Sequence, residues 1–480
     1  MGVREGFIMK FPTLKTSSKY KLTSWIYIAI VAVILIVINI AANLFPAQID
    51  FTAKKTFSLT GECKAMLDTV KMPVEIVVCR DRINFSQNIY VANIAKTVEN
   101  MAEYSEYIDA TFMSVDKNPS LKEQYPTASL STSNIIVRLK DDPTHCRIVS
   151  MENMFETDDS GKSITESKVE YTLANAIDYV IRTDFPVLYY TTNHMEDTPG
   201  GFIQLLTGNN YTVKPINLIA NDIPADADYL FLFNPKTDFS GLEINKIESF
   251  LSIGEQYGKN LFAFMSPEQA KLPNLEKFFG EWGLAMGDGY LYNTSYSTDS
   301  QYNSMMLAYG DIDAAGTLYN SVSILSEQVR PVQTLFSSRD YSSTTSLLNA
   351  MPYTQQVVEM THDKNPQNDP SYSGSVMAMG TRYVKSNNVQ SHVVVSGSYK
   401  LIDDLYLDSA LGNAAYMAQV INYLDADSSK LFIFPKNMEV SLLDFPDNSA
   451  KVAALVIFAI VIPLVLAAVG TYVFIRRRNK

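Results

Sequence analysis

The chain has 480 residues, a net charge of −12, 47% hydrophobic residues and only three cysteines. The acidic balance argues against nucleic acid and anionic headgroups as partners. An odd cysteine count leaves room for at most one bridge, and four scattered histidines without His-x-x-x-His spacing exclude a histidine-based zinc site.

The first element is an uncharged apolar run over 25–45, 21 residues long, and its counterpart at the other end covers 452–475, 24 residues. At about 1.5 Å per residue, each is long enough to cross a hydrocarbon core of about 30 Å. Arg4, Lys10, Lys15, Lys19 and Lys21 precede the first run against Glu5 alone, and Arg476, Arg477, Arg478 and Lys480 follow the second. Basic flanks stay on the cytoplasmic side. Both end segments, 1–24 and 476–480, are therefore expected inside, with the 406 residues from 46 to 451 outside. Residues 41–46 (AANLFP) hold no Ala-x-Ala, so the first run is expected to remain as an anchor rather than be cleaved. The flanks take nine of the 39 basic and one of the 51 acidic side chains, which leaves 30 against 50 between the runs, a net −20. A solvated acidic surface is the plain reading of that excess. The stretch is long enough for two or three domains.

Between the runs, apolar spacing sets the elements. Ser58 or Thr60 caps a helix through Cys63, Met66, Leu67 and Val70. Pro73 stops it, and 74–78 (VEIVV) reads as a short strand followed by Cys79, a buried thiol by default. Ile94, Val98, Met101 and Ser105 share one face of a helix over 87–107, and 108–115, 134–139 and 147–149 read as strands. This is a small α/β domain, 46–165. A polar loop at 156–162 (ETDDSGK) leads to a helix over 168–182, and a larger α/β domain spans 166–430. In it, strands at 186–191, 211–216, 229–233 and 261–264 alternate with helices at 201–206, 242–253 and 273–282, the last closed by Gly283. The unbroken apolarity of 229–233 (YLFLF) marks a buried strand. Such alternation predicts right-handed βαβ units and a parallel sheet. Residues 285–375, rich in Ser, Asn, Tyr, Asp and Gly, read as an insertion of irregular or short β structure. Strands at 377–384 and 392–396 and a helix over 410–424 resume the pattern, and 431–451 return the chain to the second run.

Few motifs carry chemistry. Gly161-Lys162-Ser163 lacks the glycine a phosphate loop needs five residues earlier, where Glu156 stands. The strand ends at 234–237 and 265–268 carry no Gly-x-Ser-x-Gly and no cysteine. Pro267 removes a backbone donor beside Ser266, which reads instead as a helix cap. His194, with Glu196 and Asp197, follows the strand at 186–191, and ligands bind at the C-terminal ends of parallel strands. The trio suits acid–base work or a weak metal contact, the plainer alternative being a loop histidine bonded to a neighbour. It is the candidate ligand or interaction site; no catalytic, cofactor-binding or metal-ligating residue is assigned. In the first run Asn39 and Asn43 share a face at i, i+4, and Asn39, the deeper amide, is a candidate contact to another transmembrane helix. Pro463 marks a kink in the second.

Taken in order, several stretches resemble the auxiliary subunits of gliding-motility-type ABC transporters, the GldG-like family. Residues 50–78 (DFTAKKTFSLTGECKAMLDTVKMPVEIVV) are similar to that family's opening, an Asp-x-Thr, a Ser-Leu-Thr helix start and a Pro-Val-x-Ile strand. Residues 169–197 (VEYTLANAIDYVIRTDFPVLYYTTNHMED) resemble its passage into the second domain; where the family reads Gly-His-Gly-Glu, this chain has Asn193, His194, Met195 and Glu196. Residues 221–251 (NDIPADADYLFLFNPKTDFSGLEINKIESFL) follow its strand, Asp-Phe-Ser-x-x-Glu and helix pattern, and 275–284 (LEKFFGEWGL) also fits. The resemblance implies two extracytoplasmic α/β domains, the second an amidotransferase-like or flavodoxin-like parallel sheet without the nucleophile. It further implies no cofactor, and association with an ABC permease subunit energised by a separate cytoplasmic ATPase. The expected function is that of a non-enzymatic auxiliary subunit in the cell membrane, in contact with lipid through two helices. The alternatives are an envelope-anchored enzyme using His194 and Glu196, and a free-standing adhesion or structural ectodomain.

The topology is checked by an Asn365→Cys variant, which an impermeant maleimide should label on intact cells. Labelling only after lysis would place 46–451 inside.

Overall fold

The computed structural model describes residues 57–438 apart from 86–88, 159–162, 253–256, 320–321, 360–362, 384–388, 408–410 and 425–431, with isolated positions at 30, 33, 463, 465, 470 and 471. Asn39, Asn43, Lys162 and nearly all of the two apolar runs lie outside the described residues. Among the described residues no helix is long and apolar enough to cross a membrane. By internal contacts the chain divides into Met1–Lys55 and Thr56–Lys480, and the second unit holds all five sheets of the described residues.

In the first domain, Thr60 rather than Ser58 caps helix α1 (Gly61–Thr69), its hydroxyl accepting from the Cys63 N–H at 3.2 Å. Strand β1 (Val74–Val78) follows, then α2 (Ile89–Tyr104), β2 (Ile108–Phe112), the short α3 (Pro119–Gln124), β3 (Asn134–Leu139) and β4 (Cys146–Ser150). The sheet order is β2-β1-β3-β4, with β1 and β2 parallel and the other pairs antiparallel. Strand β5 (Phe155–Thr157) takes Glu156 and Thr157 out of the expected polar loop and pairs with β6 (Ile164–Ser167). Helix α4 (Val169–Ile181), placed with the larger domain by the sequence, packs Val169, Leu173, Ala176, Ile177 and Val180 into the same core as Ile76, Val98 and Ile135. Cys63, Cys79 and Cys146 are free thiols, the first two buried.

The larger domain runs β7 (Val187–Thr191), α5 (Gly200–Gly208), β8 (Thr212–Ile216), β9 (Tyr229–Phe233), α6 (Gly241–Ser252), β10 (Asn260–Phe264) and α7 (Pro273–Glu281). Gly283 closes α7 at φ +81°, where a Cβ would also lie 2.6 Å from the Phe336 ring. Then come β11 (Leu284–Met286), β12 (Tyr290–Asn293), β13 (Met305–Tyr309), β14 (Ile324–Ser326), β15 (Val332–Thr334), β16 (Ser338–Arg339), β17 (Ser342–Ala350), β18 (Thr354–Val357), β19 (Ser375–Tyr383), β20 (Gln390–Ser396) and α8 (Asn413–Leu424). Strands β8-β7-β9-β10-β20 are parallel, as the alternation predicts. Period-two alternation splits each central strand between two cores. Tyr229, Phe231 and Phe233 join Phe202 of α5 and Met417 and Val420 of α8 on one face. Leu230 and Leu232 join Ile247 of α6 and Phe278 of α7 on the other. The result is an α/β sheet covered on both faces.

The stretch 285–375 holds short strands, as expected, but it is not a separate insertion: part of it extends the main sheet. Strands β19, β17, β13 and β14 continue the sheet antiparallel beyond β20, with β16 folded onto β17, giving ten strands in one mixed sheet. The sequence hides β17 because SSTTSLLNA is polar on both faces for its first five residues and its register slips between Ser346 and Asn349. At the opposite edge, β8 carries Pro215, which blunts further pairing.

His392 lies in β20, 7% exposed, its Nδ1 3.0 Å from the Thr381 hydroxyl. Burial lowers its pKa from 6.5 to about 4. The unfolded chain therefore binds the extra proton between these values, and stability is lost as pH falls through that window, by up to about 3 kcal/mol. Thermal melts of full-length protein in detergent should show this loss, and a His392→Gln variant should lack that component.

Candidate functional site

Counted along the chain, the five parallel strands stand in the order 2-1-3-4-5, so the order reverses between β7 and β9. In open α/β sheets that reversal opens the crevice in which ligands bind. The loops that meet there are 192–199, after β7, and 234–240, after β9.

The first loop is a tight turn about His194. Asn193 and Met195 both have positive φ, 80° and 56°. These are the two positions at which the family resemblance would place glycine. Asparagine tolerates this region, whereas methionine holds it at a cost of about 1–2 kcal/mol. The His194 N–H donates to Oε2 of Glu196 at 2.7 Å, and its carbonyl accepts from the N–H groups of Lys236 (2.7 Å) and Thr237 (3.2 Å). The two loops are thus sewn together through backbone.

The ring is enclosed. Nδ1 lies 3.4 Å from Oε1 of Glu196 and Nε2 lies 3.2 Å from Oε1 of Glu243, with the three side chains 3%, 6% and 5% exposed. Phe239 stacks on the imidazole at 3.8 Å between centroids. Glu243 is held by a capping box at the start of α6: its Oε2 accepts from the Ser240 N–H and hydroxyl, both at 2.8 Å, and its own N–H meets Ser240 Oγ at 3.4 Å. The helix N-terminus favours the carboxylate. Burial lowers the proton affinity of His194, but hydrogen bonding to Glu196 and the charge of Glu243 outweigh it and hold the ring above its ordinary 6.5. Burial raises Glu196, yet His194 and backbone N–H groups outweigh it and hold that carboxyl below its usual range.

Of the three residues the sequence singles out, the structure joins His194 and Glu196 and turns Asp197 elsewhere. Asp197 Oδ2 accepts from Asn234 Nδ2 (2.6 Å) and pairs with Lys236 Nζ (2.9 Å). Sequence reasoning misses Phe239 and Glu243 as partners of His194. The Ser240-x-x-Glu243 spacing is a legible capping box, but its contact with a histidine 49 positions upstream has no local signal. Ser266 caps a turn, not a helix: its Oγ accepts from the Glu268 N–H at 3.1 Å, while its own N–H donates to Gln269 Oε1 at 3.0 Å. Helix α7 is capped from outside, by Asp238, whose carboxylate accepts from the N–H groups of Asn274 (2.8 Å) and Leu275 (3.2 Å).

A separate open cleft of about 1000 Å³ lies beyond the C-terminal end of β10, lined by Glu268, Tyr290, Tyr302, Glu359, Asp363 and Lys364 among others. Lys364 is spoken for: its ammonium meets the Gln301 carbonyl and Asn303 Oδ1. Among the described residues no group of His, Cys, Asp and Glu is placed to hold a metal ion.

No protein-family model matches the chain, and no curated protein matches it. Among solved structures the chain is similar to the mmIFT52 N-terminal domain, at 12% identity over 50% of this chain and 97% of that one, with a TM-score of 0.37. It is also similar to a putative GMP synthase subunit from Thermoplasma acidophilum (7% identity, 51% and 96% coverage, TM-score 0.28). A third is PurLQS from Thermotoga maritima (11% identity, 50% and 100% coverage, TM-score 0.23).

His194 contributes stability that is fully present below pH 6.5 and is lost as pH rises through its raised folded value. His194→Gln should therefore cost about 3 kcal/mol below pH 6.5, the scale of breaking a buried pair, and the gap from wild type should narrow as pH is raised above that value. Denaturant titrations below and above that value measure it.

Proposed function

We propose that the chain is a non-enzymatic, membrane-anchored auxiliary subunit of an ABC transport complex, working outside the cytoplasm beside a separate permease and ATPase. The second domain is an amidotransferase-like or flavodoxin-like sheet put to use as a docking body. The observation that carries the reading is the enclosure of His194 at the strand-order reversal. His194, a candidate acid–base group together with Glu196, has its two ring nitrogens 3.4 and 3.2 Å from the Glu196 and Glu243 carboxylates and an aromatic ring against its face. A ring only 3% exposed and so enclosed supports a structural role over a catalytic one. Ser266, the candidate hydroxyl after β10, is buried and occupied in a turn. What that edge offers outward is apolar: Met195 is 71% exposed and Leu242, in the first turn of α6, is 75% exposed. Large exposed apolar side chains beside a rigid, strained turn suit contact with a protein better than turnover of a small molecule. The two apolar runs with basic flanks supply the membrane part of the reading.

A search for an ABC permease encoded beside this chain, followed by co-purification with it in mild detergent, tests the proposal. The full-length chain should bring that permease down. Asn39→Leu should weaken recovery modestly, since one interhelical hydrogen bond in lipid contributes roughly 0.5–2 kcal/mol. A full-length chain with no permease partner would exclude the transporter reading and leave a free-standing ectodomain.

A further inference from the structure

One buried carboxylate outside the His194 cluster ties the two ends of the described fold together. Glu170 stands in the first turn of α4 and is 3% exposed. Its Oε1 accepts the backbone N–H of Thr60 at 3.0 Å and also the Thr60 hydroxyl. Its Oε2 lies 2.5 Å from Nζ of Lys436, and the same ammonium donates to the Ser58 carbonyl at 2.5 Å, 378 positions away. Thr60 meanwhile caps α1.

The segment that carries Lys436 is a strap across both domains. Phe432 packs in the core of the larger domain and Ile433 in that of the smaller one. The Ile433 N–H donates to Asn209 Oδ1 at 3.3 Å. Lys436 and Asn437 then pair antiparallel with Ser167 and Glu166 of β6, and the Met438 N–H donates to the Thr165 carbonyl at 2.7 Å. The described chain therefore enters the fold, at 57–60, and leaves it, at 432–438, at one place on the small domain.

A carboxylate this buried is stable only while its charge is matched, and removing one partner leaves it uncompensated. Deprived of Lys436, Glu170 regains solvation by admitting water, and what covers it is the first turn of α1, on Thr60. We propose that Glu170 is a clasp that holds the entering and leaving segments together, so that release of one releases the other. Its functional weight rests on the two-anchor reading, because both segments lead to the apolar runs; its chemistry does not.

Cys63 reports on the clasp from the far side of the sequence. It lies in α1, fully buried, and burial together with the charge of Glu170 holds its thiol far above the usual range. Such a thiol is inert until its surroundings open. Cys79 is an internal control, equally buried but in a separate cluster with Val77, Val115 and Ile136. The experiment is alkylation of the full-length protein in detergent, followed peptide by peptide, for wild type, Glu170→Gln, Lys436→Met and the double variant. Lys436→Met should speed modification of Cys63 by about tenfold or more while Cys79 keeps its wild-type rate. The double variant should be no faster than the faster single one, as for groups acting as a unit. An unchanged Cys63 rate in Lys436→Met, an equal rise at Cys79, or additive effects in the double variant would each overturn the clasp. Failure to recover a permease would leave the Cys63 result standing, so the two readings fail separately.

Discussion

Charge buried away from water has to be answered by other charge, and the long-range organisation of this chain hangs on that requirement. Of the long-range tie points described, two are buried glutamates beside a basic side chain: Glu243 on His194, and Glu170 on Lys436. Breaking such a pair costs several kcal/mol even where its formation gains little over an apolar contact. Each therefore fixes which loops meet rather than how much the fold is stabilised. The apolar cores supply the stability, through continuous layers such as Phe231 stacked on Phe262 at 4.8 Å.

This division explains what is legible in the sequence. The parallel strands and their helices follow from apolar periodicity, because burial on both faces leaves a continuous signal in YLFLF and NLFAF. In the antiparallel half β19 is legible but β17 is not, because β17 presents Ser and Thr on both faces and its core contacts come only at Leu347, Leu348 and Ala350. The site is half visible. His194 and Glu196 lie together in sequence, and their position after a strand marks them out. Phe239 and Glu243 come from another loop, and no local pattern records that pairing. Helix α4 goes to the wrong neighbour on sequence alone for a similar reason: its apolar stripe is plain, but which sheet it covers depends on tertiary contacts.

The turn about His194 is held in left-handed backbone by residues that favour it less than glycine does. Left-handed backbone is easy for glycine and expensive for methionine, yet both Asn193 and Met195 adopt it. Backbone bonds from Lys236 and Thr237 to the His194 carbonyl overdetermine the turn and hold that strain. The strained residue carries its side chain into solvent, so what the turn retains is a shape offered outward rather than a pocket facing inward.

The clasp also orders events in time. A chain made from its N-terminus can complete the first sheet once residue 150 has emerged, and can bury Glu170 soon after α4 forms. Its countercharge, Lys436, is among the last of the described residues to appear. Until then Glu170 has Thr60 but no cation, and the small domain keeps an unmatched charge beneath α1. Closure of the small domain therefore waits on synthesis of nearly all of the described fold. A chain truncated anywhere within the larger domain is left with a small domain that cannot shut, which marks it as incomplete to any protease that reads open structure.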